Sequence, residues 1–206
     1  MAAAPQALDA RHQLDGFDCG KPGLNDWLIR HARQAQASGS AKTYVVVEGD
    51  RVAGYFSLTV GQADALEAPE RIRKGRGNYP IPVVILARLA VSLQDQGKGI
   101  GIGLLQEAIR RTAAIADQAG VRALLTHPID DEASRFYQRF GFEPSPIREQ
   151  QLLLLLKDAR RLLASLAVAT TATGQGQAGR CYDPRQFRVI DPPYLMANRA
   201  VCPAAI

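Results

Sequence analysis

The segment Gln96-Gly97-Lys98-Gly99-Ile100-Gly101 joins an apolar run to an amphipathic one, and its glycine spacing suits the capture of phosphate groups. Two better-known phosphate motifs do not fit it. A nucleotide P-loop needs GxxxxGK followed by Ser or Thr, whereas Gly97-Lys98 is followed by Gly99 and Ser92 stands where the first glycine belongs. A GxGxxG dinucleotide fingerprint needs a third glycine, and Ile102 or Leu104 occupies the required position. What remains is QxxGxG, built on Gln96, Gly99 and Gly101. Glycines let successive N–H groups converge without obstruction by a Cβ. A helix N-terminus adds unsatisfied donors and positive potential. The combination fits a pyrophosphate, with Lys98 either adding a charge or pointing into solvent. For the loop alone, a strand-to-helix turn that binds nothing is the alternative.

Arg71, Arg73, Lys74 and Arg76 form a second cluster, with no acid among them, that could meet a phosphate backbone or simply be a solvated loop. The chain of 206 residues has a formal charge of +5, so it is mildly basic as a whole. Cys19, Cys181 and Cys202 are widely spaced and form no ligand cluster, which indicates three free thiols and no metal. The hydrophobic content of 47% suits a buried core. No apolar run approaches the ~20 residues of a membrane span. The N-terminal Met1-Ala2-Ala3-Ala4-Pro5 lacks the pattern of a secretion signal, so a cytoplasmic location is expected.

These residues must be positioned by regular elements. Leu24, Trp27, Leu28 and His31 recur at helical spacing after the turn-rich 17–23, and Ser38-Gly39-Ser40 ends that helix. Thr43 to Val47 and Val52 to Leu58 flank Gly49-Asp50 as a β-hairpin. A polar loop follows from Gln62 to Pro80, then a strand from Val83 to Val91. A helix starting near Gly103 buries Leu104, Leu105, Ala108, Ile109, Thr112, Ala113 and Ala116, with Gly120 as its stop. A strand from Val121 to Thr126, a helix from Asp131 to Phe140 closed by Gly141, and a strand from Leu152 to Leu156 complete the series. A helical tail runs from Asp158 to about Ala167. The strand–helix–strand unit at 83–126 implies one parallel pair in an otherwise antiparallel sheet. The expectation is a mixed α/β domain over 1–167 and a poorly ordered extension over 168–206.

The loop and its surroundings resemble the GNAT superfamily of N-acetyltransferases. Arg88-Leu89-Ala90-Val91 looks like the strand before the signature (Q/R)xxGx(G/A), and Asp130 to Tyr137 resembles the NxxA…FY helix, with Asp130 where many members carry Asn. Gln138 to Phe142 matches the ending of that helix. The resemblance implies a mostly antiparallel sheet whose fourth and fifth strands are parallel and splayed, flanked by helices. It implies acetyl-CoA held by Leu89, Ala90, Val91, the loop 96–101 and Ser134, with Tyr137 as general acid. A phenol, with an ordinary pKa near 10, is protonated at neutral pH and can donate to a leaving thiolate. A core aromatic beside Phe136, Phe140 and Phe142 is the alternative role. No base stands out; His127, at a strand end, is a candidate.

Phe17-Asp18-Cys19-Gly20, Leu24 to Leu28 and Gln36 to Gly39 are similar to the N-terminal helix of GNAT toxins from type II toxin–antitoxin pairs. That resemblance implies acetylation of the α-amine of an aminoacyl-tRNA, which blocks translation, and a ribbon-helix-helix antitoxin as partner. A homodimer is compatible with it. Arg71, Arg73, Lys74 and Arg76 would then contact tRNA, with Arg30 and Arg33 extending the surface. The other readings are a GNAT enzyme acting on a small amine, an antibiotic or a protein N-terminus, and a non-catalytic acyl-CoA-binding regulatory module. A cationic small substrate calls for an acidic cleft, which the basic 71–76 loop disfavours.

Overall fold

The hairpin around Gly49-Asp50 forms and is longer than its sequence signal. In the computed structural model, which describes residues 4–75 and 77–171, β2 (Lys42–Glu48) pairs antiparallel with β3 (Arg51–Ala63). The apolar pattern fades after Leu58, yet β3 continues because β4 (Ile81–Val91) pairs with it along its whole length, from Gly54↔Val91 to Ala63↔Ile81. The ladder with β2 ends at Leu58, so the β4 ladder alone sustains a stretch of strand that its own side chains do not announce. The expected loop 62–80 therefore starts later, and it holds a 3-10 turn at Ala65–Glu67 and the short helix α3 (Glu70–Arg73).

The sheet order is β1-β2-β3-β4-β5-β7-β6. Its edges are the two-residue strands β1 (Gln6–Ala7) and β6 (Glu143–Pro144), too short to leave a periodic trace in the sequence. The strand β5 (Ala123–Thr126) pairs parallel with β4 and antiparallel with β7 (Leu152–Leu155). Among the described residues the other strand–strand pairs are antiparallel, with an isolated parallel bridge between Gln13 and Arg51. The mixed sheet with one parallel pair is thus present as expected.

That parallel pair opens. Val83↔Ala123 to Leu86↔Thr126 is the whole of its register, while β4 runs on to Val91. At the same point the β3–β4 register slips: Leu58 faces Leu86 but Ser57 faces Arg88, leaving Ala87 as a bulge. An extra residue bends and twists its strand, so Ala87 carries the rest of β4 away from β5.

Both faces of the sheet are covered. On one, α4 (Ile100–Ala116), α5 (Asp131–Gln138) and α6 (Leu156–Thr171) enclose a core containing Phe56, Leu86, Leu104, Leu105, Ile109, Leu124 and Leu154. Each fully buried aliphatic side chain contributes roughly 2 kcal/mol of transfer free energy. On the other face, Leu28 and Ala32 seal the N-terminal helices over Val45, Val52 and Tyr55, and the 63–73 segment covers Val83, Ala123 and Leu125.

Local chemistry sets the helix boundaries. The helix α4 begins at Ile100, earlier than expected, because Gly99 (φ 81°) caps it and takes the N–H groups of Ile102 and Gly103 on its carbonyl. It ends at Ala116, so Gly120 lies past the stop. The N-terminal helix is α1 (Pro22–Asp26), a π-helical turn (Trp27–His31) and α2 (Ala32–Ser38). Ala32 donates its N–H to the Trp27 carbonyl across that wider turn. The extra residue rotates His31 off the apolar face on which the spacing put it, leaving it exposed. The α6 helix crosses the expected domain boundary at 167/168, and the extension from 172 onward lies outside the described residues, as do Cys181 and Cys202.

Candidate active site

The gap between the parting strands is one wall of a cleft of about 690 Å³. Leu89, Ala90 and Val91 line it from β4; Gln96, Gly97, Gly99, Ile100 and Gly101 from the glycine loop; Tyr137 from α5. The structure therefore gathers nearly all of the residues expected to hold acetyl-CoA around one cavity, with the expected acid among them. Gly97 (φ 76°) and Gly99 (φ 81°) adopt the left-handed conformation that a glycine takes without strain. They bend the chain into α4, whose first N–H groups, those of Ile100 and Gly101, have no helix carbonyl behind them and belong to residues that line the cleft. Backbone donors, a helix N-terminus and an open strand edge fit a pyrophosphate with an extended amide-bearing arm. Those residues would hold acetyl-CoA there.

Other side chains of the expected set also find partners within the protein. The Gln96 amide donates to the carbonyls of Cys19 (3.3 Å) and Val91 (3.2 Å), tying the loop to the N-terminal segment and to β4. Lys98 is turned to Asp95 at 2.7 Å and is not among the cleft-lining residues. Ser134 also stands outside the lining; its hydroxyl accepts from Gln138 at 3.1 Å within α5.

Asp95 is the residue that sequence reasoning missed. Its side chain has 0% exposure and accepts from Arg51 at 2.5 and 3.1 Å, besides Lys98. The Arg51 hydrogen bond, followed by the one from Lys98, holds its carboxyl far below the usual carboxylate range in spite of desolvation. The contacts are therefore complete above pH 4 or so and are lost only under strongly acidic conditions. The spacing of Asp95 to Lys98 was a visible signal; the partnership with Arg51 arises only from folding. The expected result for Asp95→Ala is an acetyl-CoA affinity about tenfold weaker, from a loosened loop, together with a lower melting temperature, because Arg51 and Lys98 lose the acceptor that joins them and keep only Glu48. Calorimetric titration and thermal melting measure the two effects.

Tyr137 is both a core aromatic and a cleft residue, so its packing in the core does not remove it from the cleft. The ring packs edge-on to Phe136 (centroids 5.3 Å) and against Phe142 (5.4 Å), and the side chain is 6% exposed. Burial pushes its pKa up to about 12, with the neighbouring Thr126 hydroxyl offsetting part of the rise. The phenol is fully protonated at neutral pH and can act as a proton donor.

Asp130 caps α5 by accepting from the Ala133 N–H at 2.8 Å. It also pairs with Lys21 at 2.8 Å, and both residues line the cleft, so the pair straps the N-terminal segment to α5. His127 sits elsewhere, in a second cleft of about 780 Å³ with Glu67, Ile147, Arg148 and Gln151. Its Nε2 is 3.3 Å from Gln151 Oε1. Thr126 shares the Tyr137 face of the sheet and Leu125 belongs to the core on the other, so alternation puts His127 on the side opposite Tyr137.

The expected tRNA-contacting cations are dispersed. Arg71 bridges Glu143 (2.5 Å) and Asp158 (2.7 Å). Arg30 pairs with Asp26 at 2.8 Å, and Arg33 donates to the His12 carbonyl at 2.6 Å. Arg73 and Lys74 form no ion pair among the described residues, and Arg76 lies outside them. Arg122, beside the start of β5, donates to the carbonyls of Ile72 and Lys74, so this basic segment sits at the strand ends remote from the glycine loop. Among the described residues no three His, Cys, Asp or Glu side chains are grouped to hold a metal, and no helix is long and apolar enough to cross a membrane.

Comparison with known proteins agrees with this geometry. The family described as "Acetyltransferase (GNAT) domain" matches residues 39–144. A tRNA-acetylating toxin of Mycobacterium tuberculosis (strain ATCC 25618 / H37Rv) is 38% identical over 161 residues, 78% of this chain and 96% of the toxin. Among solved structures, AtaT complexed with acetyl-methionyl-tRNAfMet superposes with a TM-score of 0.73 at 25% identity, covering 79% of this chain and 99% of AtaT. A tyrosine-to-phenylalanine mutant of the AtaT toxin, bound to the C-terminus of the antitoxin AtaR and to acetyl-CoA, gives 0.69 at 25% identity over 80% of this chain and 99% of its own.

Proposed function

Because the chain belongs to the GNAT acetyltransferase family, we propose that it is a toxin that acetylates the α-amine of an aminoacyl-tRNA and so blocks translation. The enzyme is an acetyl-CoA-dependent N-acetyltransferase. Acetyl-CoA supplies the thioester whose C–S bond breaks as the new C–N bond forms. The loop at 97–101 binds the pyrophosphate through backbone N–H groups, and the free edge of Leu89 to Val91 aligns the arm. An N–H of Leu89 or Val91 polarises the carbonyl. Tyr137 gives its phenolic proton to the leaving sulfur, and the proton released by the amine passes to solvent. The α-amine of an aminoacyl ester is less basic than a lysine amine, so a neutral fraction exists without a dedicated base.

The observation that carries the substrate is the likeness to a tRNA-acetylating toxin over nearly the whole length of that toxin. The toxin–antitoxin complexes among similar structures support an antitoxin as partner; a small ribbon-helix-helix antitoxin and a homodimeric toxin complete the reading. On this reading Arg73 and Lys74 are the best placed of the basic 71–76 group to meet the body of the tRNA. Arg71, Arg30 and Arg33, already engaged, contribute less.

The purified protein incubated with radiolabelled acetyl-CoA and a pool of charged tRNAs is expected to place label in the RNA fraction. Binding of acetyl-CoA without labelled RNA would redirect the search for the acceptor to proteins and small amines.

A further inference from the structure

Arg88 lies on β4 directly after the bulge at Ala87, where β4 has left β5. Its guanidinium carbon stands 4.2 Å from the centroid of the Trp27 ring, which is itself stacked on Tyr55 at 5.9 Å and 15°. The side chain is half-buried, and among the described residues no carboxylate pairs with it. Arg51, Arg71 and Arg148 each meet an acid within 2.6 Å. A cation withdrawn from water without a counter-ion is costly, and burial draws the Arg88 pKa down. An arginine nevertheless remains charged at neutral pH.

Its direction follows from its neighbours. Ala90 belongs to the core under the N-terminal helices, and Arg88 reaches Trp27 on that same side. Leu89 and Val91 pack on the other side, with the core that contains Tyr137. Arg88 therefore projects to the face opposite Tyr137, two residues or ~7 Å along the strand from the last β4–β5 pair. His127 occupies the same face on the β5 side. An acceptor entering from there to bring its amine into the gap passes between the two.

We propose that Arg88, its plane set by Trp27, is an anion-anchoring residue that binds the phosphodiester joining the last two nucleotides of the aminoacylated 3′ end. The proposal rests on the aminoacyl-tRNA reading and specifies where that substrate is held. A guanidinium presents paired donors to phosphate oxygens, and stacking on an aromatic fixes the plane in which they point. Held by the phosphate, the terminal ribose sits at the mouth of the gap and its ester directs the α-amine inward.

The test is steady-state kinetics of wild type, Arg88→Gln and Arg88→Lys on charged tRNA at several salt concentrations, with acetyl-CoA KM determined in parallel. For Arg88→Gln, kcat/KM for tRNA falls about thirtyfold, carried by KM, while acetyl-CoA KM stays within about twofold of wild type. The slope of log kcat/KM against log salt becomes shallower by about 0.7, the value for one single-strand phosphate contact. Arg88→Lys keeps the wild-type slope, because the charge remains, and loses part of the affinity with the bidentate geometry. An unchanged slope in Arg88→Gln overturns the proposal, as does an acetyl-CoA KM that rises in step with the tRNA KM, the mark of a residue that merely holds Trp27. Wild-type enzyme that acetylates no tRNA would sink the aminoacyl-tRNA reading itself, a result distinct from either of these.

Discussion

Tyr137→Phe is expected to lower kcat for acetyl transfer about a hundredfold or more, the usual contribution of a positioned general acid. Acetyl-CoA affinity and melting temperature should change little. The mutation removes one oxygen from a side chain whose ring contacts with Phe136 and Phe142 are all retained. It leaves no orphaned partner, since the Thr126 hydroxyl donates to the Leu86 carbonyl at 3.0 Å. A fall in rate without a fall in binding or stability assigns the effect to the proton. The pH profile supplies a second reading. With its pKa pushed up to about 12 by burial, the phenol stays protonated across any practical assay range. Tyr137 therefore produces no loss of rate between neutral pH and pH 10 or so. A basic limb near pH 9 that disappears in Tyr137→Phe would overturn the raised pKa while keeping Tyr137 as the acid, whereas a variant that keeps wild-type kcat would sink the assignment.

Gly101→Val is expected to weaken acetyl-CoA binding more than a hundredfold. Gly101 lies in the first turn of α4 with its absent side chain directed at the splayed strand, where a Cβ would meet Val91 Cγ2 at 3.6 Å. That separation is ordinary contact, so the fold accommodates the first carbon. The two methyl groups of valine then occupy the space between loop and strand through which the pyrophosphate reaches the backbone donors. Because Gly101 has ordinary helical geometry, no left-handed strain is added and only a few tenths of a kcal/mol of helix propensity are at stake. Gly101→Ala should sit between, at about tenfold. Calorimetric titration alongside thermal melting separates occlusion from unfolding. Wild-type affinity in Gly101→Val would show that the pyrophosphate is bound elsewhere.

Neither substitution could have been graded from the sequence alone, which identified the loop but not the direction of each residue in it. Gln96 and Lys98 belong to the motif and read as ligand-binding, yet folding commits the first to the Cys19 and Val91 carbonyls and the second to Asp95. Where backbone N–H groups bind a phosphate, the side chains of the loop are free to brace it.

What the sequence determined by itself was everything governed by short range. The glycine spacing dictated a tight turn into a helix, and the 3.6-residue periodicity dictated the buried face of α4. The α5 helix was legible too, though it stops at Gln138, short of the expected end at Phe140. The order of elements then required one parallel pair, since a helix between two strands of one sheet returns the chain in the same direction. Tertiary structure decided what depends on partners remote in sequence. The ladder with β4 prolonged β3 beyond its apolar run, and the bulge at Ala87 placed the opening in the sheet. The buried carboxylate of Asp95 acquired Arg51 across the fold, and the basic residues 71–74 were carried to the far strand ends. The half-buried Arg88 was left on Trp27 with no counter-ion among the described residues. Spacing along the chain encodes neighbours within a turn or a hairpin, while charge pairing and burial are settled only when distant segments share one volume.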